Sequence, residues 1–217
     1  MPRALGILVL LVWSGAADAQ QRDRRAGARD EARYDELFRK YSKRFFGPGY
    51  DWRYFKAQGM AESNLDSAAR SYVGARGIMQ LMPTTFAEIQ SRRPELESID
   101  HVEWNIAAGI MHDRYLWKRW KDLGVDEERR RFMFGSYNAG EGPILRARRM
   151  AQQRQLDGHA WTSIEQVAPE VRRWRYRETI GYVRKIQRNY QQLADRERRR
   201  QGLATPAAKL ASQGEPH

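Results

Sequence analysis

The chain has 217 residues, enough for one domain with a full hydrophobic core that needs no metal or disulfide to stabilise it. It contains no cysteine, which excludes disulfides and lipid attachment through a cysteine. Its formal net charge of +12 favours an anionic partner, such as nucleic acid, a membrane surface or an acidic cell-wall polymer.

The N-terminal segment is typical of a cleaved secretory signal peptide. Residues 1–19 carry an arginine near the start, an apolar run over 5–13 and a small-residue ending. The apolar run is far shorter than the about 20 residues that span a bilayer, so a membrane anchor is the weaker interpretation. We therefore predict export to the periplasm or cell wall, with no stable membrane insertion after cleavage. Residues 20–30 are polar and charged, which predicts a disordered lead-in.

Apolar and aromatic residues recur at helical spacing along most of the remaining chain. They predict a first helix over 30–46, and a second one that Asp51 caps and that carries Glu62 in its last turn. A loop follows over 63–77. Further helices are predicted over 84–91, 102–120, 127–137 capped by Asp126, 144–155 after a break at Gly142-Pro143, and 161–167, with a long final helix beyond Pro169.

Almost no segment alternates with period two, so the predicted fold class is mainly α. We expect a compact helical domain with a cleft and at most a very small β-hairpin. The predicted organisation is a signal peptide at 1–19, a lead-in at 20–30, an N-terminal helix at 31–48, a catalytic domain at 49–193 and a charged, disordered C-terminal tail at 194–217.

Glu62 is the first candidate for chemistry. It ends an apolar and aromatic run, where a carboxyl is poorly hydrated if that face is buried, and burial raises a carboxyl pKa. Such a group stays protonated near neutral pH and can act as a general acid. From spacing alone, the alternative is an ordinary surface glutamate. The four histidines lie far apart without ligand-like spacing, so we expect no metal and no cofactor.

Three ordered motifs follow one another along the chain. The first begins at Glu62-Ser63 and runs through two glycines and Gln80 to Pro83. The second is Ser-Tyr-Asn-Ala-Gly at 136–140, and the third is Glu-Thr-Ile-Gly-Tyr-Val at 178–183. Together they resemble the motifs of soluble-type (SLT) lytic transglycosylases, glycoside hydrolase family 23, of the goose-type lysozyme superfamily, in which the second motif usually begins with alanine instead of serine.

The resemblance implies a lysozyme-like α+β fold and an enzyme that cleaves the MurNAc-β-1,4-GlcNAc bond of peptidoglycan without water. Glu62 would be its single acid and base, and the products would carry 1,6-anhydro-MurNAc ends. The resemblance also implies roles for other residues. Substrate binding falls to Ser71, Gln80, Met82, Tyr137 and Asn138, and support of the active site to Ser63, Glu178 and Tyr182.

Several of these residues have plainer interpretations. Asn138 precedes a glycine and is typical of a helix end, whereas Met82 can simply fill core. Glu178 lies in an arginine-rich helix and can be a surface ion-pair partner. Five of the seven tryptophans, at 52, 104, 117, 161 and 174, are candidates for stacking on sugars or for the core.

Three alternative functions stay open at this point. A hydrolytic muramidase on the same fold would use Asp66 to position water. A non-catalytic module would keep the fold to bind peptidoglycan or to assemble a secretion apparatus. An exported nucleic-acid binder is suggested by the arginine runs at 146–154 and 196–200, but export and the absence of a zinc-finger or ribonucleoprotein motif disfavour it. The expected partners are therefore peptidoglycan glycan strands, together with cell-wall or secretion machinery, and not nucleic acid.

Overall fold

The computed structural model describes residues 32–202. The predicted signal peptide, the lead-in and residues 203–217 of the predicted tail lie outside the described residues. The described residues fall into two units that divide after Glu36. The first contributes only residues 32–36 to the description, and the candidate site lies entirely within the second.

From Asp35 onward the described residues form eight α-helices. They are α1 (Asp35–Phe46), α2 (Arg53–Ser63), α3 (Pro83–Arg92), α4 (Val102–Arg119), α5 (Asp126–Ala139), α6 (Glu141–Gln153), α7 (Trp161–Val167) and α8 (Tyr176–Arg200). A short 3-10 helix, Ala168–Glu170, follows α7. No named strand occurs in this part of the chain, where the extended pairing is two isolated bridges, Arg70 with Arg76 and Arg76 with Leu81. The prediction of a mainly α fold with at most a trace of sheet is confirmed.

Helix α5 is central to the packing. It contacts α4, α6 and α8, while α2 packs chiefly against α8. The core between these helices is built from side chains with almost no exposure, which are Phe55, Ile78, Met79, Ile106, Ile110, Phe132, Met133, Ile144, Ile164 and Ile186. Two of them, Ile78 and Met79, belong to the loop after α2, so that loop is anchored in the core rather than spread over the surface.

Helix α2 ends where the sequence predicts. Asn64 adopts the left-handed conformation with φ of 56°, and its N–H donates to the Met60 carbonyl. An asparagine tolerates this conformation better than most residues, which makes it a good helix terminus. Asp51, the predicted cap, lies one residue before the N-cap, which is Trp52, and its Oδ1 accepts a hydrogen bond of 3.0 Å from the Arg53 N–H. Glu62 therefore lies in the last turn of α2, as predicted.

Three predicted helix limits are wrong. Gly142-Pro143 does not break the chain but lies in the first turn of α6, where the missing proline N–H costs nothing. Asp126 is the first residue of α5 rather than its cap, which is Val125. Helix α8 starts only at Tyr176 and continues through Arg200, into the segment predicted as a disordered tail. Its apolar stripe continues to the buried Ala194, which explains the longer helix.

No helix within residues 32–202 combines the length and the apolar character needed to cross a membrane.

Candidate active site

The Glu62 carboxyl lies where α2 meets α8. Tyr182 of α8 is buried, and its hydroxyl donates a hydrogen bond of 2.6 Å to Glu62 Oε1. Lys185, one turn further along α8, donates to the Ala61 carbonyl at 2.8 Å and brings a positive charge close to the carboxyl. Burial raises the pKa of Glu62 to about 7, against the opposing effects of the Tyr182 hydrogen bond and the Lys185 charge. A carboxyl with this pKa is available in both protonation states near neutral pH.

A second carboxyl, Asp113, lies close to the site and was not singled out from the sequence. It belongs to α4 and has no solvent exposure, and its Oδ1 accepts a hydrogen bond of 3.3 Å from Gln58 Nε2 of α2. Burial raises the pKa of Asp113 well above its ordinary range, and the neighbouring Glu62 acts in the same direction. Its spacing in the sequence could have predicted that Asp113 is buried. Asp113 lies three residues after Ile110 and four before Trp117, on a buried stripe of α4.

Asp66, the carboxylate considered for positioning water, is exposed. Its Oδ1 accepts a hydrogen bond of 2.8 Å from the Ala68 N–H and so closes a local turn. This contact gives Asp66 a structural task in the loop.

Ser63 joins the end of α2 to the loop that follows. Its hydroxyl lies 3.0 Å from the Ile78 carbonyl and 3.4 Å from the Gly59 carbonyl. Because the Ile78 side chain is fully buried, this bond ties the turn that carries Glu62 to a fixed part of the loop. The supporting role of Ser63 in the active site stays a prediction.

The loop between α2 and α3 folds back on itself through side-chain bonds. Ser71 Oγ accepts from the Ala75 N–H at 2.9 Å. Gln80 uses its amide N–H groups on the carbonyls of Ala69 and Gly77, at 3.2 Å and 2.9 Å. These contacts use neither the Ser71 hydroxyl proton nor the Gln80 amide oxygen. Both predicted binding residues thus also hold the loop in shape.

Asn105 of α4 holds the same loop through side-chain hydrogen bonds, a role that was not predicted from the sequence. Its Oδ1 accepts from the Met79 N–H at 2.8 Å, and its Nδ2 donates to the Arg76 and Ile99 carbonyls at 2.9 Å and 3.0 Å. Gly77 has a φ of +75°, and a Cβ there would lie 2.5 Å from Asn105 Nδ2. Gly77 is therefore required for loop packing.

Tyr137, near the end of α5, closes the site on the side of α4. Its hydroxyl donates to the Met79 carbonyl at 2.8 Å, and its ring meets the His112 ring edge-on at 5.2 Å between centroids. Burial raises the pKa of Tyr137 well above its ordinary range, so the phenol stays neutral. Both Glu62 and Asp113 influence this pKa, which places the three groups within one electrostatic neighbourhood.

Asn138 is held by α8 through a residue that the sequence did not single out. Thr179 is buried, and its hydroxyl donates to Asn138 Oδ1 at 2.8 Å while accepting from Trp174 Nε1 at 3.0 Å. The Asn138 NH₂ group is thereby oriented. Glu178 does not provide the buried support that the resemblance implies, because its side chain is 55% exposed and pairs with Arg175 at 3.2 Å. One position along a helix rotates a side chain by about 100°, and Thr179 occupies the inward face instead.

A groove of about 860 Å³ adjoins this cluster and is bordered by α1, α3, α4 and the start of α6. His112 lines the groove and contacts Tyr137, so the two features share a wall.

Met82, which precedes α3, is 38% exposed and is therefore not core filler. Of the five candidate tryptophans, Trp117 and Trp161 are buried in the core and cannot stack on a sugar. Among residues 32–202, no group of three or more His, Asp or Glu side chains is arranged to hold a metal ion.

A half-buried glutamic acid, a neutral tyrosine and a flanking groove in a helical fold are typical of an acid–base site beside a ligand-binding cleft. Comparison with known proteins places the chain more narrowly. Residues 37–159 match the model of the Transglycosylase SLT domain, which is more than half of the chain. The chain belongs to this family.

Curated relatives include proteins named membrane-bound lytic murein transglycosylase F. The protein from Shewanella woodyi is 30% identical over 173 residues, which cover 73% of this chain and 35% of the relative. The protein from Desulfosudis oleivorans is 33% identical over 138 residues, or 63% of this chain and 29% of the relative. The chain thus spans about a third of the length of these relatives.

Among solved structures, the 70-kDa soluble lytic transglycosylase from Escherichia coli aligns with 72% of this chain and 23% of its own, at 24% identity and a TM-score of 0.54. A complex of the 70-kDa soluble lytic transglycosylase with bulgecin A aligns with 75% of this chain and 24% of its own, at 23% identity and a TM-score of 0.55. These structures support the fold that the sequence predicts.

Proposed function

We propose that this protein is a peptidoglycan lytic transglycosylase that cleaves the MurNAc-β-1,4-GlcNAc bond and leaves 1,6-anhydro-MurNAc ends. The observation that carries the proposal is the Glu62 carboxyl, with a pKa of about 7 and a 2.6 Å hydrogen bond from Tyr182, in a chain of the SLT family. The names of the curated relatives, as lytic murein transglycosylases, support the same substrate and reaction.

The first step is proton donation. Neutral Glu62 gives its proton to the glycosidic oxygen, and the bond from that oxygen to C1 of MurNAc breaks. The Tyr182 hydroxyl donates to Glu62 Oε1 and stabilises the carboxylate that forms. The acetamido oxygen of MurNAc stabilises the cationic C1, a substrate-assisted route that replaces a protein nucleophile.

In the second step the Glu62 carboxylate takes the proton of the MurNAc 6-hydroxyl, and that oxygen forms the new bond to C1. Glu62 is thereby returned to its acid form, and no water is consumed. Because the attacking hydroxyl belongs to the substrate, its effective concentration is high, and a single protein carboxyl is sufficient. A pKa near the working pH suits a group that serves as acid and then as base.

The binding roles follow from the groups that the site leaves unused. The Asn138 NH₂ group, oriented by Thr179, the Ser71 hydroxyl proton and the Gln80 amide oxygen are suited to N-acetyl and hydroxyl groups. Exposed Met82 supplies an adaptable apolar contact for a sugar ring. Tyr137 and Ser63 hold the loop and helix end around the reacting bond.

We further propose that the protein works in the cell envelope, on the periplasmic side. The supports are the signal-like N-terminal sequence and the relatives described as membrane-bound. The net charge of +12 would favour association with the carboxylate-bearing wall. A partner in cell-wall or secretion machinery stays a prediction.

The test is digestion of purified peptidoglycan sacculi, followed by mass spectrometry of the released muropeptides. We expect anhydro products from the parent, and a loss of about 10²–10⁴-fold in rate for Glu62→Gln. Products heavier by one water would instead support the hydrolytic muramidase. Equal turnover of both proteins would contradict the role of Glu62, and the absence of any turnover by the folded parent would favour the non-catalytic module.

A further inference from the structure

Gln58 of α2 and Asp113 of α4 form a buried polar pair. Neither side chain has any solvent exposure, and Gln58 Nε2 donates to Asp113 Oδ1 at 3.3 Å. Gln58 precedes Glu62 by four residues, so it lies one turn earlier on the same face of α2. Whatever fixes Gln58 against α4 also fixes the turn that presents Glu62.

The remaining two oxygens of the pair pose a chemical problem. Among the residues that the structure describes, Gln58 Oε1 and Asp113 Oδ2 are both buried and both lack a hydrogen-bond partner. Buried polar atoms without partners are costly, and two acceptors cannot satisfy each other. A single proton on Asp113 Oδ2 gives both oxygens a partner. The Asp113 carboxylic acid then donates from Oδ2 to Gln58 Oε1, while its Oδ1 accepts from Gln58 Nε2.

The surroundings of Asp113 favour that proton. The titratable groups that act on it or respond to it are Glu62 of α2, Tyr137 of α5, Tyr182 of α8 and Tyr50 before α2. The three tyrosines have raised pKa values and are neutral, and Glu62 is a like charge when it ionises. Within this group of residues, an ionised Asp113 would therefore have no positively charged partner. It would also be repelled by the Glu62 carboxylate that forms during catalysis.

We propose that Asp113 is a neutral carboxylic acid in the folded protein and exchanges two hydrogen bonds with the Gln58 amide, forming an uncharged pair that positions Glu62. Asp113 is then a positioning residue that does not touch the substrate. This leaves Glu62 as the carboxyl that changes charge during turnover. The link to Glu62 rests on the proposed function, whereas the protonation state of Asp113 does not.

The first experiment measures stability. Asp113→Asn keeps both hydrogen bonds of the pair, because its NH₂ group can donate to Gln58 Oε1, but it has no proton to lose. The parent and this variant are unfolded in urea from about pH 4, near the ordinary pKa of an aspartate, to about pH 8. A carboxyl whose pKa is raised by folding contributes stability at low pH and loses it as the pH rises toward the folded-state pKa.

We therefore expect the two proteins to have similar stability near the acid end, and the parent to lose stability relative to the variant as the pH rises. Each pH unit in this window changes the ratio of their unfolding constants by up to about tenfold. Glu62 is present in both proteins, so its own titration cancels. A ratio that does not depend on pH would overturn the proposal. Tyr50→Phe, introduced into both proteins, should leave the pH dependence of this ratio unchanged. If the pH dependence disappears, it arises from the Tyr50 hydroxyl and not from Asp113.

The second experiment measures turnover of sacculi at a matched folded fraction. Asp113→Leu should lower kcat about tenfold with little change in KM, and Asp113→Asn should restore it. The pH at which activity falls should be the same for the parent and for Asp113→Asn. If Asp113 were ionised, removing its charge would lower the Glu62 pKa and move that fall to lower pH, which would contradict the proposal. A parent without any activity would refute the proposed function, and the stability experiment would still decide the protonation of Asp113.

Discussion

The Tyr182 hydroxyl meets Glu62 Oε1 at 2.6 Å although the two residues are 120 positions apart in the chain. The contact joins the end of α2 to the first half of α8 and links the first and third sequence motifs in space. A short O–H···O bond of this kind stabilises the carboxylate more than the neutral acid, and therefore opposes the effect of burial on the Glu62 pKa.

Removing the Tyr182 hydroxyl should raise the Glu62 pKa further. In Tyr182→Phe the carboxylate loses its donor, so the pH at which activity falls should move upward by about one unit. The maximal kcat should drop by about tenfold, because the carboxylate that forms during cleavage is less stabilised. The measurement is kcat and kcat/KM across pH on purified sacculi. An unchanged or lowered midpoint would show that the hydroxyl does not act on Glu62.

The positive charge of Lys185 should act in the same direction with a smaller effect. Lys185→Met removes a charge that lowers the Glu62 pKa, so the fall in activity should shift upward by less than about one pH unit. Lys185→Arg keeps the charge and is the matched control. Added salt should narrow the difference between Lys185→Met and the parent, since an exposed charge is screened. If activity falls at the same pH in all three proteins at low salt, the Lys185 charge does not affect the Glu62 pKa.

Thr179, rather than Glu178, should be the residue of the third motif that orients Asn138. Thr179→Val keeps the shape but leaves Trp174 Nε1 and Asn138 Oδ1 without their partner, which should cost about 1–3 kcal/mol in the free energy of unfolding and raise KM. Glu178→Gln removes only an exposed ion pair with Arg175 and should cost less than about 1 kcal/mol. Denaturant unfolding and sacculus kinetics compare the two, and a larger effect of Glu178→Gln would reverse this assignment.

The two glycines of the first motif should respond differently to alanine. Both have positive φ, +90° for Gly74 and +75° for Gly77, so each substitution carries a backbone cost of about 1–2 kcal/mol. Only at Gly77 would the new Cβ collide, 2.5 Å from the Asn105 amide that holds the loop, whereas at Gly74 no heavy atom lies within 4 Å. Gly77→Ala should therefore be clearly less stable and less active than Gly74→Ala. Equal losses would mean that Asn105 does not constrain the loop.

Much of the helical order follows from the spacing of apolar residues and from local terminators. Asn64 after Glu62 and Gly140 after α5 end helices for reasons that are visible in a few neighbouring residues. The start of α6 illustrates the limit, because Gly142-Pro143 is compatible with a break and with a first helical turn. Which one forms depends on whether the face beginning at Ile144 finds a core to pack against, and that is a tertiary property.

Only those residues of the candidate site that lie within the three sequence motifs could be predicted. Glu62, Tyr137 and Tyr182 are brought together as the motifs suggest. Asp113 and Asn105 lie between motifs, on a helix whose buried face is otherwise apolar, and their roles depend on which neighbours α4 meets. A polar residue at the spacing of a buried stripe was the available signal. For Glu178 and Thr179, adjacent positions on one helix, only the orientation of α8 decides which side chain faces inward.

The central claim is that Glu62 changes its protonation near neutral pH. The direct measurement is an NMR titration of the side-chain carboxyl carbons in protein labelled with ¹³C-glutamate, with Glu62→Gln identifying the signal. We expect the Glu62 resonance to titrate with a midpoint near pH 7. A midpoint near 4, the ordinary value for an exposed glutamate, would contradict the account.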